Sequence, residues 1–452
     1  MNTNEMKRKI LFPINGFGRE FDGKLLLALL AQERGFHPFI GAKSALHRKL
    51  RELSPALYIA KSAHGSSVDF FARMRRLGNQ IALLDEESLV RQSDEIYMMK
   101  HRKDALKDVA LLLTWGQDDL RLWQSSGLLY QASAAAVGNP RVDMLRPATR
   151  SYHGAEVSSI VDRFGNYVLI NTNFPRVNHA VTLGENVTSA DKTEHAARAW
   201  RKFLDYKRCV FERFKDIIPE LARYVYPRNL VVRPHPSELQ EPWLDVSKGH
   251  ENVHVIREGG IVPWLIGARA LIHNGCTSAI EYALLDKLPL SYRLEELEPY
   301  EDSLPNHLSV SCHTKDALLR ELGRSLARPE ATLPEKQRQI LNDNIEMSAD
   351  RLCGEAVLDA VQNTVPAPRN VCTRYAIVDF NGIWDAILAP IRGFRKSMRS
   401  DRGRRRADAL NKFPNLGTDY IDARIKRFQD CLGRFHGMRS RQVARRLFEL
   451  VE

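Results

Sequence analysis

The feature that most constrains this chain is a recurrence. Short apolar runs stop abruptly at turn residues and are followed by segments of helical periodicity. Lys9–Ile14, residues 36–41, Leu57–Ala60, Gln80–Leu84, residues 109–113 and residues 132–137 read as six strands. Residues 25–33 form an amphipathic helix that Arg34-Gly35 closes, glycine being the residue that best adopts a left-handed helix end. Short strands separated by helices cannot pair as hairpins, so they pair in parallel with the helices covering the sheet faces. The pattern restarts at residues 167–173. It continues through a long helical segment at 195–224, with a break expected at Ile218-Pro219, and strands at Leu230–Arg233, residues 253–256 and Ala270–His273; a final strand at 288–292 completes that half. Two successive sheets predict an α/β chain of two lobes with a cleft between them. The expected boundaries are 1–150 for the first lobe, 160–365 for the second and 366–452 for a basic, mostly helical segment. Val365-Pro366-Ala367-Pro368 is the linker, and residues 419–451 are read as helix.

In parallel sheets ligands bind outside the carboxyl ends of the strands, so strand ends carry the search for a site. After Leu230-Val231-Val232 the chain reads Arg233-Pro234-His235-Pro236-Ser237-Glu238. The prolines fix the backbone and end the ladder, which holds His235 rigidly at the sheet edge. An arginine fork and a histidine donor suit phosphate and ribose oxygens; the plain alternative is a turn with a structural histidine. The second strand end, Asn274-Gly275-Cys276-Thr277-Ser278, runs into a helix over 279–285. Free amides at a helix start bind anions, although Ser and Thr also serve there as ordinary caps. Glu281, one turn further on, is placed for a ribose hydroxyl. Together the two ends read as a nucleotide-phosphate site.

In the first lobe, Asp85-Glu86-Glu87 follows a strand. Adjacent carboxylates raise one another's pKa, which suits acid–base chemistry; a solvated helix start is the alternative. Arg19, Glu20 and Asp22 follow the first strand and its Gly16/Gly18 loop and fit acceptor contact, while Asp22 is equally suited to capping a helix. The loop lacks the full dinucleotide glycine pattern.

Composition narrows the partners. A net charge of +12 over 452 residues favours anionic ligands or surfaces. Arg395, Lys396, Arg399, Arg402, Arg404, Arg405 and Arg406 suit either an anionic membrane face or a solvated tail. No aromatic-interleaved basic motif accompanies them, so nucleic acid is not expected. Cysteines 209, 276, 312, 353, 372 and 431 have no paired spacing, so neither a disulfide framework nor a zinc site is expected. With no long apolar run and no secretory signal in the polar start of the chain, a cytoplasmic protein is expected.

Several of these stretches together resemble the surface carbohydrate biosynthesis family. The resemblance rests on Arg233-Pro234-His235-Pro236-Ser237-Glu238, the turn from Asn274 through Glu281, Leu304-Pro305-Asn306, Arg19 through Ala28, Asp85-Glu86-Glu87, Gly138-Asn139-Pro140-Arg141-Val142-Asp143, Asn171-Thr172-Asn173-Phe174 and Asn411-Lys412-Phe413-Pro414. That family is related to bacterial glycosyltransferases that use CMP-activated 3-deoxy-manno-octulosonic acid (Kdo). The resemblance implies a GT-B-like fold of two Rossmann-like lobes, a CMP-sugar donor with no further cofactor and no metal, and a glycan or lipid-linked acceptor. It implies a place in lipopolysaccharide or capsule assembly, soluble or peripheral at the inner membrane face. It puts CMP on His235-Pro236, with Arg233, Ser237 and Glu238 beside them, and the phosphate on Thr277-Ser278 within the Asn274-Gly275-Cys276 turn.

Bacterial sialyltransferases carry an acidic pair followed by glycine that supplies a base. Asp85-Glu86 matches the pair, but Glu87-Ser88 follows without a glycine. Retaining Kdo transferases imply instead an aspartate nucleophile upstream of the His-Pro motif, for which Asp191, Asp205 and Asp216 are candidates and Asp205 has the best spacing. The alternatives are a CDP-polyol phosphotransferase, an epimerase of the same architecture, and a nucleotide- or glycan-binding subunit without chemistry.

Overall fold

The computed structural model describes residues 7–91, 93–179, 194–294, 303–328, 332–366 and 413–452. The first lobe is built on β1 (Lys9–Ile14), β2 (His37–Ala42), β3 (Leu57–Ala60), β4 (Gln80–Leu84), β5 (Leu111–Thr114) and β6 (Ser133–Ala136), all parallel. The second is built on β7 (Val168–Asn171), β8 (Leu230–Arg233), β9 (Val253–Val255), β10 (Ala270–His273), β11 (Leu290–Tyr292) and β12 (Val310–Cys312), in the order β12-β11-β10-β7-β8-β9. Strand β12 extends this sheet beyond the final strand expected from the sequence. Its three residues are too short to stand out as an apolar run.

Residue alternation explains why these runs are apolar throughout. In the second sheet Val168, Ile170, Val232 and Ile272 pack on one face and Leu169, Val231 and Leu271 on the other. Both faces of a parallel sheet are buried, so neither side of the strand can be polar. Helix α1 (Phe17–Glu33) begins well before residue 25, where the sequence suggested a loop. Its first turn closes because the Asn15 N–H reaches the Glu20 carboxylate and the Glu20 N–H the Gly16 carbonyl. Arg19, Glu20 and Asp22 therefore sit on a helix start.

Further along are α2 (Gly154–Phe164), α3 (Glu194–Val225), α4 (Ile261–Gly267), α5 (Thr277–Leu284), α6 (Cys353–Thr364) and α7 (Thr418–Leu432). Helix α3 runs unbroken through Pro219. The proline removes one hydrogen bond, but Phe214, Ile217, Ile218, Leu221 and Val225 are buried along this face and hold the helix on the sheet. Helix α6 crosses back, with Val357, Leu358 and Val361 in the first lobe's core.

The end of the chain departs most from expectation. Of residues 419–451, only α7 is helical; β13 (Arg439–Ala444) and β14 (Leu447–Val451) form an antiparallel hairpin. Strand β14 pairs with β2, giving the first sheet the order β13-β14-β2-β1-β3-β4-β5-β6. Leu447, Phe448 and Leu450 join the core. The frequent arginines of this segment masked its strand alternation. Residues 395–406, with the arginine run, lie outside the described residues. So do Ala367 and Pro368 of the expected linker.

Candidate functional site

The carboxyl ends of both sheets meet where the lobes close. The first turn of α1 touches the loop before α4: a Cβ built on Gly260 would lie 3.2 Å from the Gly18 carbonyl oxygen. Beside this contact opens a cleft of about 760 Å³, lined among others by Arg19, Asp22, Arg141, Gly259, Trp264 and Glu281. That volume is in the range of ligand pockets, roughly 300–1,000 Å³.

His235 lies just past β8, part-buried. Its Nδ1 accepts the Ser237 N–H at 3.2 Å, so the neutral ring carries its proton on Nε2. Burial, then Arg19 and Arg257, push its pKa down to about 4. The ring is a neutral donor at physiological pH, and Arg19 of the opposite lobe is near enough to act on it. Pro236 is exposed at the tip of this turn.

Two neighbours expected on the ligand have other work. Glu238 is 0% exposed. Its carboxylate accepts Thr172 Oγ1 at 2.9 Å, the Phe174 N–H at 2.8 Å, the His235 N–H at 3.2 Å and Trp243 Nε1 at 3.1 Å. It pins the His235 turn to the loop after β7, with no free face for a nucleotide. Arg233 donates to the carbonyls of Glu258 at 2.7 Å and Gly259 at 3.1 Å, and stacks on Trp264 at 4.7 Å. It shapes the Gly259-Gly260 wall of the cleft, and its fork is already used. Burial pushes its pKa down to about 10.

The second strand end is a paired clamp. Asn274 Oδ1 accepts the Asn173 N–H at 2.8 Å, and Asn173 Nδ2 donates to the Gly275 carbonyl at 2.8 Å. Gly275 has φ +79°, a conformation glycine adopts without strain. At the start of α5 Cys276 and Ser278 are side-chain partners, Sγ to Oγ 2.6 Å. Burial pushes the Cys276 thiol up to about 11, so a neutral thiol stands at the N-cap position without a side-chain capping hydrogen bond. Thr277 is part-exposed beside it and Ser278 buried.

Glu281 does line the cleft, but paired: Arg141 Nη2 lies 2.6 Å from its Oε1. Arg141 comes from Pro140–Asp143 of the first lobe, and its Nη1 lies 3.8 Å from Glu86 Oε2. Glu86 is also 3.6 Å from Lys24, which holds Glu20 at 3.1 Å. Burial alone would raise the Glu20 pKa, yet Lys24 and Lys61 hold it down at about 2. A continuous chain of buried charge thus runs from Glu20 in the first lobe to Glu281 in the second. Glu20 is locked inside it and does not line the cleft. Arg19 stands exposed at the mouth, its guanidinium donating to the Glu86 carbonyl at 3.4 Å and its pKa lowered by the neighbouring Arg141 charge. Arg141 is the residue that sequence reasoning missed as a site residue. The signal was its place in the Asn139-Pro140-Arg141 turn after β6, another strand end.

The acid–base candidates separate. Asp85 faces inward: Tyr97 OH donates to it at 2.6 Å and the Glu87 N–H at 2.8 Å, with His101 at 3.8 Å. Burial pushes its pKa up to about 7, but it is walled off from the cleft. Asp205 is on the outer face of α3, its side chain 70% exposed and paired at 2.8 Å with Arg208. Asp216 is exposed on the same helix and Asp191 lies outside the described residues. Position excludes Asp205 as a nucleophile in this structure: spacing along the chain did not fix which helix face it occupies. Asp22 borders the cleft, accepting Tyr152 OH at 2.6 Å and facing Arg424 at 3.3 Å.

Two sheets facing each other across a cleft, parallel apart from the β13–β14 hairpin and with α6 returning to the first, constitute the GT-B fold. Solved structures share it. A Listeria monocytogenes protein described as a UDP-N-acetylglucosamine 2-epimerase aligns with TM-score 0.51 and 12% identity, over 79% of this chain and 96% of its own. The Neisseria meningitidis UDP-GlcNAc 2-epimerase bound to UDP-GlcNAc aligns with TM-score 0.50 and 11% identity, over 79% and 99%. The wall teichoic acid polymerase TagF aligns with TM-score 0.49 and 10% identity, over 79% and 89%. No protein-family model matches the chain, and no curated protein sequence does. Among the described residues no helix is long and apolar enough to cross a membrane.

Proposed function

We propose that the protein is a glycosyltransferase of surface polysaccharide assembly that takes its sugar from a CMP-activated donor of the Kdo type. The observation that carries the reading is His235: a neutral Nε2–H donor fixed at a strand end, opposite Arg19 of the other lobe. A nucleotide sugar laid along the cleft would set its base against the Gly259–Trp264 wall, its ribose near Glu281 and its phosphate near His235, Arg19 and the Thr277 end of α5. The epimerase bound to UDP-GlcNAc supports a nucleotide-sugar ligand for this fold. The motifs shared with the surface carbohydrate family support CMP, Kdo and a glycan acceptor. In this reading Glu86, between Lys24 and Arg141 and with Oε2 lacking a hydrogen-bond donor, serves as the base for the acceptor hydroxyl. The protein would work free or peripheral at the inner membrane face and would need no cofactor or metal.

The test is a thermal-shift screen of CMP, CDP, UDP and GDP, since a ligand that binds the folded state raises the melting temperature by an amount that grows with the logarithm of its concentration over Kd. CMP is expected to stabilise selectively, and His235→Ala to weaken it about tenfold or more, in line with a lost hydrogen bond to a charged group. Selective stabilisation by UDP or GDP overturns the donor assignment. Unchanged CMP affinity in His235→Ala makes the histidine structural. A second reading, nucleotide binding without transfer, is favoured by one observation: Glu20, Glu86 and Glu281 all lie against cations. CMP binding with no turnover of CMP-Kdo over a range of glycan acceptors would decide for it.

A further inference from the structure

One end of the cleft is walled by the last helix of the chain. On α7, Ile421, Ile425 and Phe428 enter the first lobe's core. Tyr420, Arg424 and Arg427 form the adjacent stripe at helical spacing and line the cleft. Facing them across the opening are Asp22 of α1 and Glu156 of α2. Arg424 lies 3.3 Å from Asp22, 3.4 Å from Glu156 and 2.9 Å from Tyr420 OH, and Arg427 pairs with Glu156.

Two independent observations point to a missing partner. His153, 3% exposed and lining the same cleft, has no hydrogen-bond partner for Nε2. Glu156 Oε2 has none either. Buried polar atoms without partners are rare.

The chemistry of this end differs from the nucleotide half. Arg163, Arg424 and Arg427 are matched by Glu258, Asp22 and Glu156. Planar charged groups already neutralised in pairs, beside a tyrosine ring, offer fixed donors and acceptors and a stacking face without a net field.

We infer that the end of the cleft walled by α1, α2 and α7 is an acceptor subsite for a neutral pyranose, recognised through its hydroxyls and one ring face. The term acceptor rests on the transferase reading above; the subsite itself rests on the geometry of this end. Tyr420 supplies the stacking face, and Arg427 with Glu156 the hydroxyl contacts. The C-terminal helix is then a specificity element of the enzyme.

The experiment uses the full-length protein, with and without CMP. Saturation-transfer NMR and calorimetry are run with methyl glucoside, galactoside, mannoside, rhamnoside and N-acetylglucosaminide, and with methyl Kdo glycoside and inorganic phosphate as charged arms. At least one neutral glycoside is expected to bind, with affinity changing less than about twofold on raising salt to roughly 0.5 M, because neutral contacts are not screened. Tyr420→Leu and Arg427→Gln should each weaken it about tenfold, Tyr420→Phe should retain it, and CMP affinity should stay constant in all three. Should Arg427→Gln fail to fold, the two Tyr420 variants decide. No neutral glycoside binding, binding of only phosphate or the Kdo glycoside, or binding unchanged in Tyr420→Leu overturns the inference. A wild type that binds the glycoside but no nucleotide leaves the subsite standing and removes the nucleotide reading alone.

Discussion

A histidine whose Nδ1 accepts a backbone N–H has no tautomeric choice, and one buried beside two arginines does not gain a proton in the ordinary range. His235 combines both. Its donor role should therefore not titrate near the usual histidine value of about 6.5. CMP affinity measured by calorimetry should be flat as pH falls from about 8 to about 5.5, apart from the phosphate's own titration. A protein-linked step near pH 6.5 would place the ring in solvent instead. Asp85 gives the opposite kind of test. Burial lifts its pKa to about 7, so between pH 4 and 7 the folded state holds a proton that the unfolded chain has released. By linkage its contribution to stability is present below the unfolded pKa and falls as pH rises through that window. Asp85→Asn keeps the Tyr97 contact and removes the titration. Urea denaturation should show the variant gaining on wild type from pH 4.5 to 8, by on the order of 3 kcal/mol at most, and a constant difference would refute the buried acid. At this scale the sequence disclosed strand-end residues but not where their side chains point. The places of His235 and Asn274 at strand ends, and of Glu281 one turn into α5, were legible because Pro, Gly and helix-start chemistry mark such boundaries. Arg233 and Glu238 were read as ligand contacts because residue type does not reveal that carbonyls and amides of neighbouring loops already occupy them.

Among the elements, parallel strands were the easiest to read because burial on both faces makes them apolar without interruption. The C-terminal hairpin was not, because β13 lies at the sheet edge with Arg439, Arg441 and Gln442 exposed. Its attachment depends on one close approach. A Cβ on Gly41 would meet the Arg446 carbonyl oxygen at 2.3 Å and Leu447 Cα at 2.8 Å. Backbone atoms cannot step aside as a flexible side chain can. Gly41→Ala should therefore loosen β14 from β2 at a cost of about 1–3 kcal/mol. Limited proteolysis of the full chain should then cut within 413–452 well before the wild type is cut there. Equal rates of cleavage would mean that the β2–β14 pairing is not what fixes the hairpin. Since α7 leads directly into that hairpin, glycoside binding should weaken together with the proteolytic change.

For the whole molecule, the question is what holds two lobes in a closed relation. An apolar seam does part of it, with Leu89, Trp115 and Val142 of the first lobe against Ile280, Ala283, Leu304 and Ile345. Arg141 adds a charged link, reaching Glu281 at 2.6 Å and Glu86 at 3.8 Å. Burial lowers the pKa of its guanidinium, but Glu281 and Glu86 more than offset that and raise it, so it stays charged. Removing one partner of a buried pair leaves an uncompensated charge, which costs about 3–5 kcal/mol. Arg141→Met should lose that much and Glu281→Gln somewhat less. The double variant should lose less than the two added together, because contacting residues couple by roughly 0.5–3 kcal/mol. A Coulombic latch also has a geometric consequence. With Arg141 gone, the buried Glu86 and Glu281 carboxylates lose the cation between them, and small-angle scattering should record a larger radius of gyration that added CMP reduces. Additive losses with an unchanged radius would show that the apolar seam alone closes the molecule, and would leave Arg141 as a ligand contact and not a latch.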